Sequence, residues 1–227
     1  MSIHLIDGIL SPFCYILGYA TGAGAFWWLA RRRGLNTLGV ACVMGAGLIG
    51  GLLFGNLVQF LVTGGPGKTV IGGIAGGYLT IFLYKRRIGL TRPLGDLFAF
   101  ALSSGEAVGR WGCFFAGCCY GKISQAPLSI WQHGAWRYPT QIYSSLAAAL
   151  TFAVLVYAEK HRLFPENGLF YLQGAMFCSF RFVIEFYRVG DIMFAGLTVA
   201  QIGCAIGLLF FGYKLSTMQL STRPAVA

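Results

Sequence analysis

The chain has 227 residues, 56% of them hydrophobic and only 11% charged, with a mean hydropathy of +0.68 and a formal net charge of +10. A water-soluble domain carries about 25% charged residues, so this composition excludes an ordinary soluble enzyme and describes a chain embedded in a bilayer. The basic residues are not interleaved with aromatics in any nucleic-acid-binding motif, which excludes nucleic acid as the partner, and without a short apolar stretch ending in a cleavage site no removable signal peptide is expected.

Crossing ~30 Å of hydrocarbon takes about 20 predominantly apolar residues in a helix. The runs that approach this length are residues 12–30, 38–62, 70–84, 94–113, 140–157, 169–187 and 195–213. The expected fold is therefore all-α: a single polytopic domain over residues 1–227 with seven transmembrane helices. The third run is short and glycine-rich, with Gly72, Gly73, Gly76 and Gly77. Such a stripe permits close helix packing or close approach of backbone to a ligand, and both readings stay open.

The flanking charges orient the bundle. Arg31, Arg32 and Arg33, then Lys85, Arg86, Arg87 and Arg92, then Lys160 and Arg162, and finally Lys214 and Arg223 fall on one side. The other side has Lys68, Lys122, Arg137 and Arg188. By the positive-inside rule the N-terminus is outside and the C-terminus cytoplasmic. The longest loop, residues 117–139, then lies on the outer side, where Trp131, Trp136 and Tyr138 suit an interfacial belt.

The fourth and sixth runs contain groups that an apolar segment does not tolerate without a reason. Arg110 stands within Gly109-Arg110-Trp111-Gly112-Cys113, followed by Gly117, Cys118, Cys119 and Gly121. Arg181 lies inside the sixth run with Glu185 four residues on and Arg188 three further. A guanidinium at membrane depth costs a few kcal/mol unless it finds an anion, and its planar fork suits a phosphate or carboxylate. Glu106 and Arg110 are also four apart, on one helix face. Glu106 therefore reads either as the counter-ion of Arg110 or as a general base with a pKa raised by burial. Arg181 with Glu185 reads either as a self-neutralising ion pair or as an anion clamp oriented by its carboxylate. The glycines around Arg110 suggest a tight turn exposing backbone N–H groups to an anion.

Cys14, Cys42, Cys178 and Cys204 lie in apolar runs and read as small hydrophobes. Cys113, Cys118 and Cys119 are spaced by five and one, with neither a C-x-x-C pair nor a histidine pair, which argues against a zinc site. Neighbouring thiols leave a disulfide open. No metal or cofactor is expected.

In this combination the chain resembles the bacterial prolipoprotein diacylglyceryl transferase family. The likeness rests on Gly109-Arg110-x-Gly112 with Gly117 and Gly121, on Asp96 before it, on residues 137–143 after it, on residues 180–188, and on Gly72-Gly73 with Gly76-Gly77. It implies transfer of a diacylglyceryl group from phosphatidylglycerol to the thiol of a lipobox cysteine, with release of glycerol phosphate. It also implies a multi-pass protein of the bacterial cytoplasmic (inner) membrane. Arg110 and Arg181 would hold the lipid phosphate, with Gly72, Gly73, Gly109, Gly112, Gly117, Gly121, Arg137, Tyr143, Glu185 and Arg188 contributing to substrate binding. The departures from the pattern are Ile71 where the family has a histidine, Cys113 for an asparagine, Cys118 for a glutamate and Glu106 for a glutamine. They mark a divergent, cysteine-bearing branch.

The sequence thus predicts a phospholipid-dependent transferase in which Arg110 and Arg181 stabilise charge on the leaving head group, and Glu106, Cys113 or Cys118 acts as base or nucleophile. Its partners would be an anionic, phosphatidylglycerol-like lipid and a lipobox-containing protein or a small acceptor. The competing readings are a membrane protein that binds or transports an anionic lipid without transfer chemistry, and a redox role for the three thiols.

Overall fold

The computed structural model describes residues 2–218 apart from 36, 66, 68, 191 and 195. Lys68 and Arg223, two of the charges that orient the chain, lie outside the described residues, as do the side chains of His4 and Ile71.

Seven helices follow one another among the described residues: α1 (Ser2–Arg32), α2 (Thr37–Thr63), α3 (Val70–Arg87), α4 (Gly95–Phe115), α5 (Thr140–Lys160), α6 (Gly168–Glu185) and α7 (Val199–Thr217). Two antiparallel hairpins, β1 (Ile130–Gln132) with β2 (Ala135–Arg137) and β3 (Ile192–Phe194) with β4 (Leu197–Thr198), complete the element list. The helical class is as expected. Length and composition single out α1, α2, α5 and α7 as able to cross a membrane. The other three carry polar or charged groups instead: Lys85 to Arg87 end α3, while Glu106 with Arg110 and Arg181 with Glu185 lie in α4 and α6. Side chains such as Leu146, Leu150, Ile206 and Leu209 are exposed, as suits lipid rather than water. The protein is a helical membrane protein.

The last apolar run begins at residue 195, but α7 starts at Val199. Thr198 sets this start with a capping box: its hydroxyl accepts from Gln201 N, while Gln201 Oε1 accepts from Thr198 N at 3.0 Å.

The chain divides into two compact units, Trp27–Pro93 and Met1–Phe26 with Leu94–Ala227. In the first of these, α2 and α3 meet through glycines. A Cβ on Gly72 would stand 2.7 Å from the Phe54 carbonyl oxygen, and one on Gly51 3.2 Å from that of Gly73. The glycine stripe of the third run is therefore a helix–helix contact, closed by Thr69, whose side chain accepts from Gly72 N.

In the larger unit, α1 packs on α4 by the same device. A Cβ on Gly18 would lie 2.9 Å from Gly105 O and 3.0 Å from the Gly109 backbone, and one on Gly112 2.9 Å from the Tyr15 ring. Leu97, Ala99, Phe100, Leu155 and Leu169 form the buried core. The N-termini of α4 and α6 cap each other. Asp96, buried, accepts from Asn167 N at 3.1 Å and Phe170 N at 3.0 Å, and Asn167 Oδ1 accepts from Gly95 N at 3.0 Å. Each side chain satisfies donors that the partner helix leaves open, with the Asp96 carboxylate at the positive end of α6. Asp96→Ala orphans two buried backbone donors and is expected to lower stability by on the order of 2 kcal/mol, read as a fall in the detergent melting temperature.

Candidate functional site

Along α4, α5 and α6, residues at helical spacing line a common cavity. Ser103 and Glu106 come from α4; Ser144, Ala147, Ala148 and Thr151 from α5; Gln173, Phe177, Phe180, Arg181 and Ile184 from α6. The cavity is small, about 20 Å³ of enclosed space, and opens to the surface. Its walls combine apolar surface with a few polar groups, as lipid and small-molecule sites do. The serine and threonine hydroxyls donate to their own helices, Ser103 to Ala99 O, Ser144 to Thr140 O and Thr151 to Ala147 O, each at 2.8 Å.

The charged groups sit at one end of this cavity. Arg110 donates twice to Glu106 Oε1, from Nε at 2.9 Å and Nη2 at 2.5 Å. Arg181 Nη2 lies 2.6 Å from Glu185 Oε2, and Arg188 Nε lies 3.9 Å from the same oxygen. These two are ionic contacts without aligned hydrogen bonds, for Glu185 Oε2, Arg188 Nε and Arg181 Nη1 are all buried without a hydrogen-bond partner. The other carboxylate oxygen, Glu185 Oε1, accepts from Thr198 Oγ1 at 3.4 Å at the N-terminus of α7. Three guanidinium groups therefore share two carboxylates, and the charges of Arg188 and Arg110 both act on Arg181. Three cations sharing two carboxylates, with Arg181 lining the cavity and its Nη1 buried without a hydrogen-bond partner, form an arrangement that an anion completes.

Past the end of α4 the chain turns sharply. Gly117 has φ +63°, Cys118 N donates to Cys113 O and Gly117 N to Phe114 O, both at 3.1 Å. This is a Schellman cap, and glycine is there for its left-handed backbone. Gly121 answers to a different constraint: a Cβ there would meet Tyr138 O at 2.4 Å and Tyr187 O at 2.8 Å. The loop backbone threads between these strands of chain, with Gly121 N on Tyr138 O and Lys122 N on Tyr187 O. Cys113, Cys118 and Cys119 are free thiols whose sulfurs lie within 4.8 Å of one another. The hydrogen bond from Cys113, with the charges of Arg188 and Arg110, pushes the Cys119 thiol down to about 5 against the effect of burial. Burial and the charge of Cys119 hold Cys118 above the ordinary thiol range.

The model of the prolipoprotein diacylglyceryl transferase family matches residues 13–215. The chain belongs to this family. Among its relatives, a phosphatidylglycerol–prolipoprotein diacylglyceryl transferase of Methylococcus capsulatus is 30% identical over 96% of this chain and 95% of its own length. Those of Dehalococcoides mccartyi and Clostridium tetani are 28% and 30% identical, over 83% and 71% of this chain and 82% and 73% of theirs.

Of the residues singled out from the sequence, the fold of this family member gathers Glu106, Arg110, Arg181, Glu185, Arg188 and the three thiols in the larger unit. Arg181 and Glu106 line the cavity, whereas Arg110 adjoins it through Glu106. Arg137 is taken up elsewhere: it donates to Gln132 O and Gly121 O and lies over the Tyr120 ring, bracing the β1–β2 hairpin. Tyr143 packs edge-on to Tyr187. Gly72 and Gly73 belong to the other unit; Gly112, Gly117 and Gly121 each have a packing or turn role, whereas a Cβ on Gly109 would meet nothing within 4 Å, its backbone alone lying against Gly18. Sequence reasoning missed Ser144, Thr151 and Gln173 as cavity residues, Thr198 as the hydroxyl on Glu185, and Cys119 as the thiol that Cys113, Arg188 and Arg110 pull below its ordinary range. The available signal was polar side chains recurring at intervals of seven in an apolar helix, as Ser144 and Thr151 do. Glu185→Ala would leave Arg181 and Arg188 without their carboxylate, at an expected cost of about 3 kcal/mol. Adding Arg181→Ala is expected to restore part of the loss, and melting temperatures of the single and double variants in detergent measure both effects.

Proposed function

We propose that this chain transfers a diacylglyceryl group from phosphatidylglycerol to a thiol acceptor, with the head group at the arginine end of the cavity between α4, α5 and α6. What carries the reading is Arg181, a cavity-lining residue whose Nη2 pairs with Glu185 while its Nη1 is buried without a hydrogen-bond partner. The names of the relatives support the same substrates, phosphatidylglycerol and a prolipoprotein. In this reading all seven helices cross the bacterial inner membrane as one domain, N-terminus outside and C-terminus inside. The loop 117–139 faces outward.

In the transfer step the acceptor sulfur attacks the glyceryl carbon, a C–S bond forms, and the C–O bond to phosphate breaks. Glycerol phosphate leaves with the electron pair. Arg181 Nη1 donates to a phosphate oxygen, and Glu185, held by Thr198, keeps the guanidinium plane fixed. Preorganised donors at developing negative charge contribute most when they need not reorient. Arg110 exchanges one of its two bonds on Glu106 for the phosphate, which leaves the Glu106 carboxylate at the cavity wall to accept the thiol proton.

The assay is the purified protein in phosphatidylglycerol vesicles with a lipobox peptide, following thioether product by mass spectrometry and glycerol phosphate release. Arg181→Ala is expected to lower turnover on the order of a hundredfold. Arg181→Lys should lose most of that too, since a point charge cannot serve Glu185 and phosphate with one rigid fork. Unchanged turnover in Arg181→Ala rejects the assignment. A second reading, lipid binding without transfer, is favoured by the carboxylate each arginine already carries and by Ile71 where the family pattern has histidine. It predicts intact phospholipid retained by the protein and no glycerol phosphate.

A further inference from the structure

In the transfer step proposed above Glu106 takes the thiol proton, so that Cys113 and Cys118, which the sequence offers as base or nucleophile, and Cys119 have no part in that step. Their sulfurs all lie within 4.8 Å of one another, each half-buried, where α4 ends and the loop begins. We propose that these three thiols are the protein ligands of one thiophilic d10 cation, a zinc-group divalent or copper-group monovalent ion, with the remaining coordination position open to water or an outside ligand.

Metal–sulfur bonds of ~2.3 Å at tetrahedral angles place sulfurs roughly 3.8 Å apart, so closing the cluster on an ion takes displacements of about an ångström or less. The spacing of five and one lacks a C-x-x-C pair, and for that reason the sequence argues against a metal. The turn supplies what the spacing does not. The Schellman cap reverses the chain at Gly117, and Cys119 is itself left-handed at φ +60°, an unusual conformation for a residue other than glycine. That backbone brings the sulfurs of two adjacent residues back to Cys113, one helical turn earlier.

The loop is also held from outside, as ligand loops in metal sites are. Gln141 Nε2 donates to Cys118 O at 2.8 Å and Thr140 Oγ1 to Cys119 O at 2.7 Å, both from the first turn of α5. Tyr15 OH donates to Cys113 Sγ at 3.3 Å from α1. Three thiolates around a divalent ion leave one net negative charge, and the charges of Arg188 and Arg110 act on this cluster. Cys178 and Cys204 offer a contrast within the same chain: they are buried between α6 and α7, where Cys178 Sγ fills the space beside Gly207.

Neither the lipid nor the acceptor enters this inference, so it stands apart from the transferase reading. The test uses the full chain, reduced and freed of metal in detergent, titrated with Cd²⁺ while the ultraviolet sulfur-to-cadmium charge-transfer band is followed. The expected result is saturation at one equivalent. Cys113→Ser, Cys118→Ser and Cys119→Ser should each weaken binding on the order of a hundredfold or more. Gln141→Leu, which removes only the bond on the loop, should weaken it on the order of tenfold. Cys178→Ser and Cys204→Ser should leave it unchanged. A second measurement needs no variant: Cd²⁺ should protect Cys113, Cys118 and Cys119 of the parent chain from alkylation together. The proposal is overturned by an absent band, by a band that survives loss of any one of the three thiols, by alkylation indifferent to Cd²⁺, or by a disulfide within the trio in freshly purified protein.

Discussion

A guanidinium group cannot shed its charge, and in this chain Arg110 and Arg181 lie on helices that otherwise bury apolar side chains, with Arg188 just beyond the second. The surrounding architecture follows from that constraint. Glu106 and Glu185 are placed four residues from Arg110 and Arg181, so each pair forms within one helix. Arg188 then shares Glu185 from the last turn beyond α6. Two carboxylates for three cations leave the cluster short of negative charge, and the deficit is felt at Arg181, whose Nη1 has no partner. In water such a donor would be hydrated at little cost. In a residue that lines a cavity walled also by Phe177, Phe180 and Ile184, a donor without an acceptor is costly, and an anion is the partner that suits it.

Holding that cluster still is the work of groups far from the charge. The α4 and α6 helices are joined at their other ends by the Asp96–Asn167 exchange of caps, which fixes the helices against each other at their N-termini. At the opposite end, Gly121 lets the loop pass between Tyr138 and Tyr187, and Thr198 presents its hydroxyl to Glu185 while capping α7. Small residues keep α1 against α4, where Gly18, Gly105 and Gly109 bring the two backbones into contact. Shape rather than apolar affinity selects this contact, because lipid offers no less apolar an environment.

Much of this was legible in the residues and some was not. The helices could be counted because apolar runs of bilayer length have few other uses, and the Glu106–Arg110 and Arg181–Glu185 pairs could be read because a spacing of four fixes a face. The hairpin at residues 130–137 was not legible. Its two-residue turn needs positive φ at both positions, supplied by His133 at +50° and Gly134 at +71°, and histidine is an unusual choice for the first. Nor could spacing reveal that Thr198 reaches Glu185 or that Gln141 holds the Cys118 carbonyl, since both bonds join elements whose juxtaposition is a tertiary fact. The glycines were ambiguous for a related reason. Gly72 and Gly112 are small because a neighbouring helix is close, and a sequence does not say whether the close neighbour is a helix or a ligand.

The departures from the family pattern also make physical sense together. Where the resemblance expects a glutamine and a glutamate, this chain has Glu106 and Cys118, so a carboxylate is gained inside α4 while one is lost from the loop. Glu106 places its charge directly on Arg110, at the cavity wall. At the loop, the glutamate that the resemblance expects is replaced by a thiol, and the Cys113 hydrogen bond with the charges of Arg188 and Arg110 holds the neighbouring Cys119 thiol below its ordinary range. The side-chain hydrogen bonds of Arg110 thus go to Glu106 within its own helix rather than to the loop thiols. The thiols are held instead by Thr140, Gln141 and Tyr15, an ordered geometry that simple packing would not require.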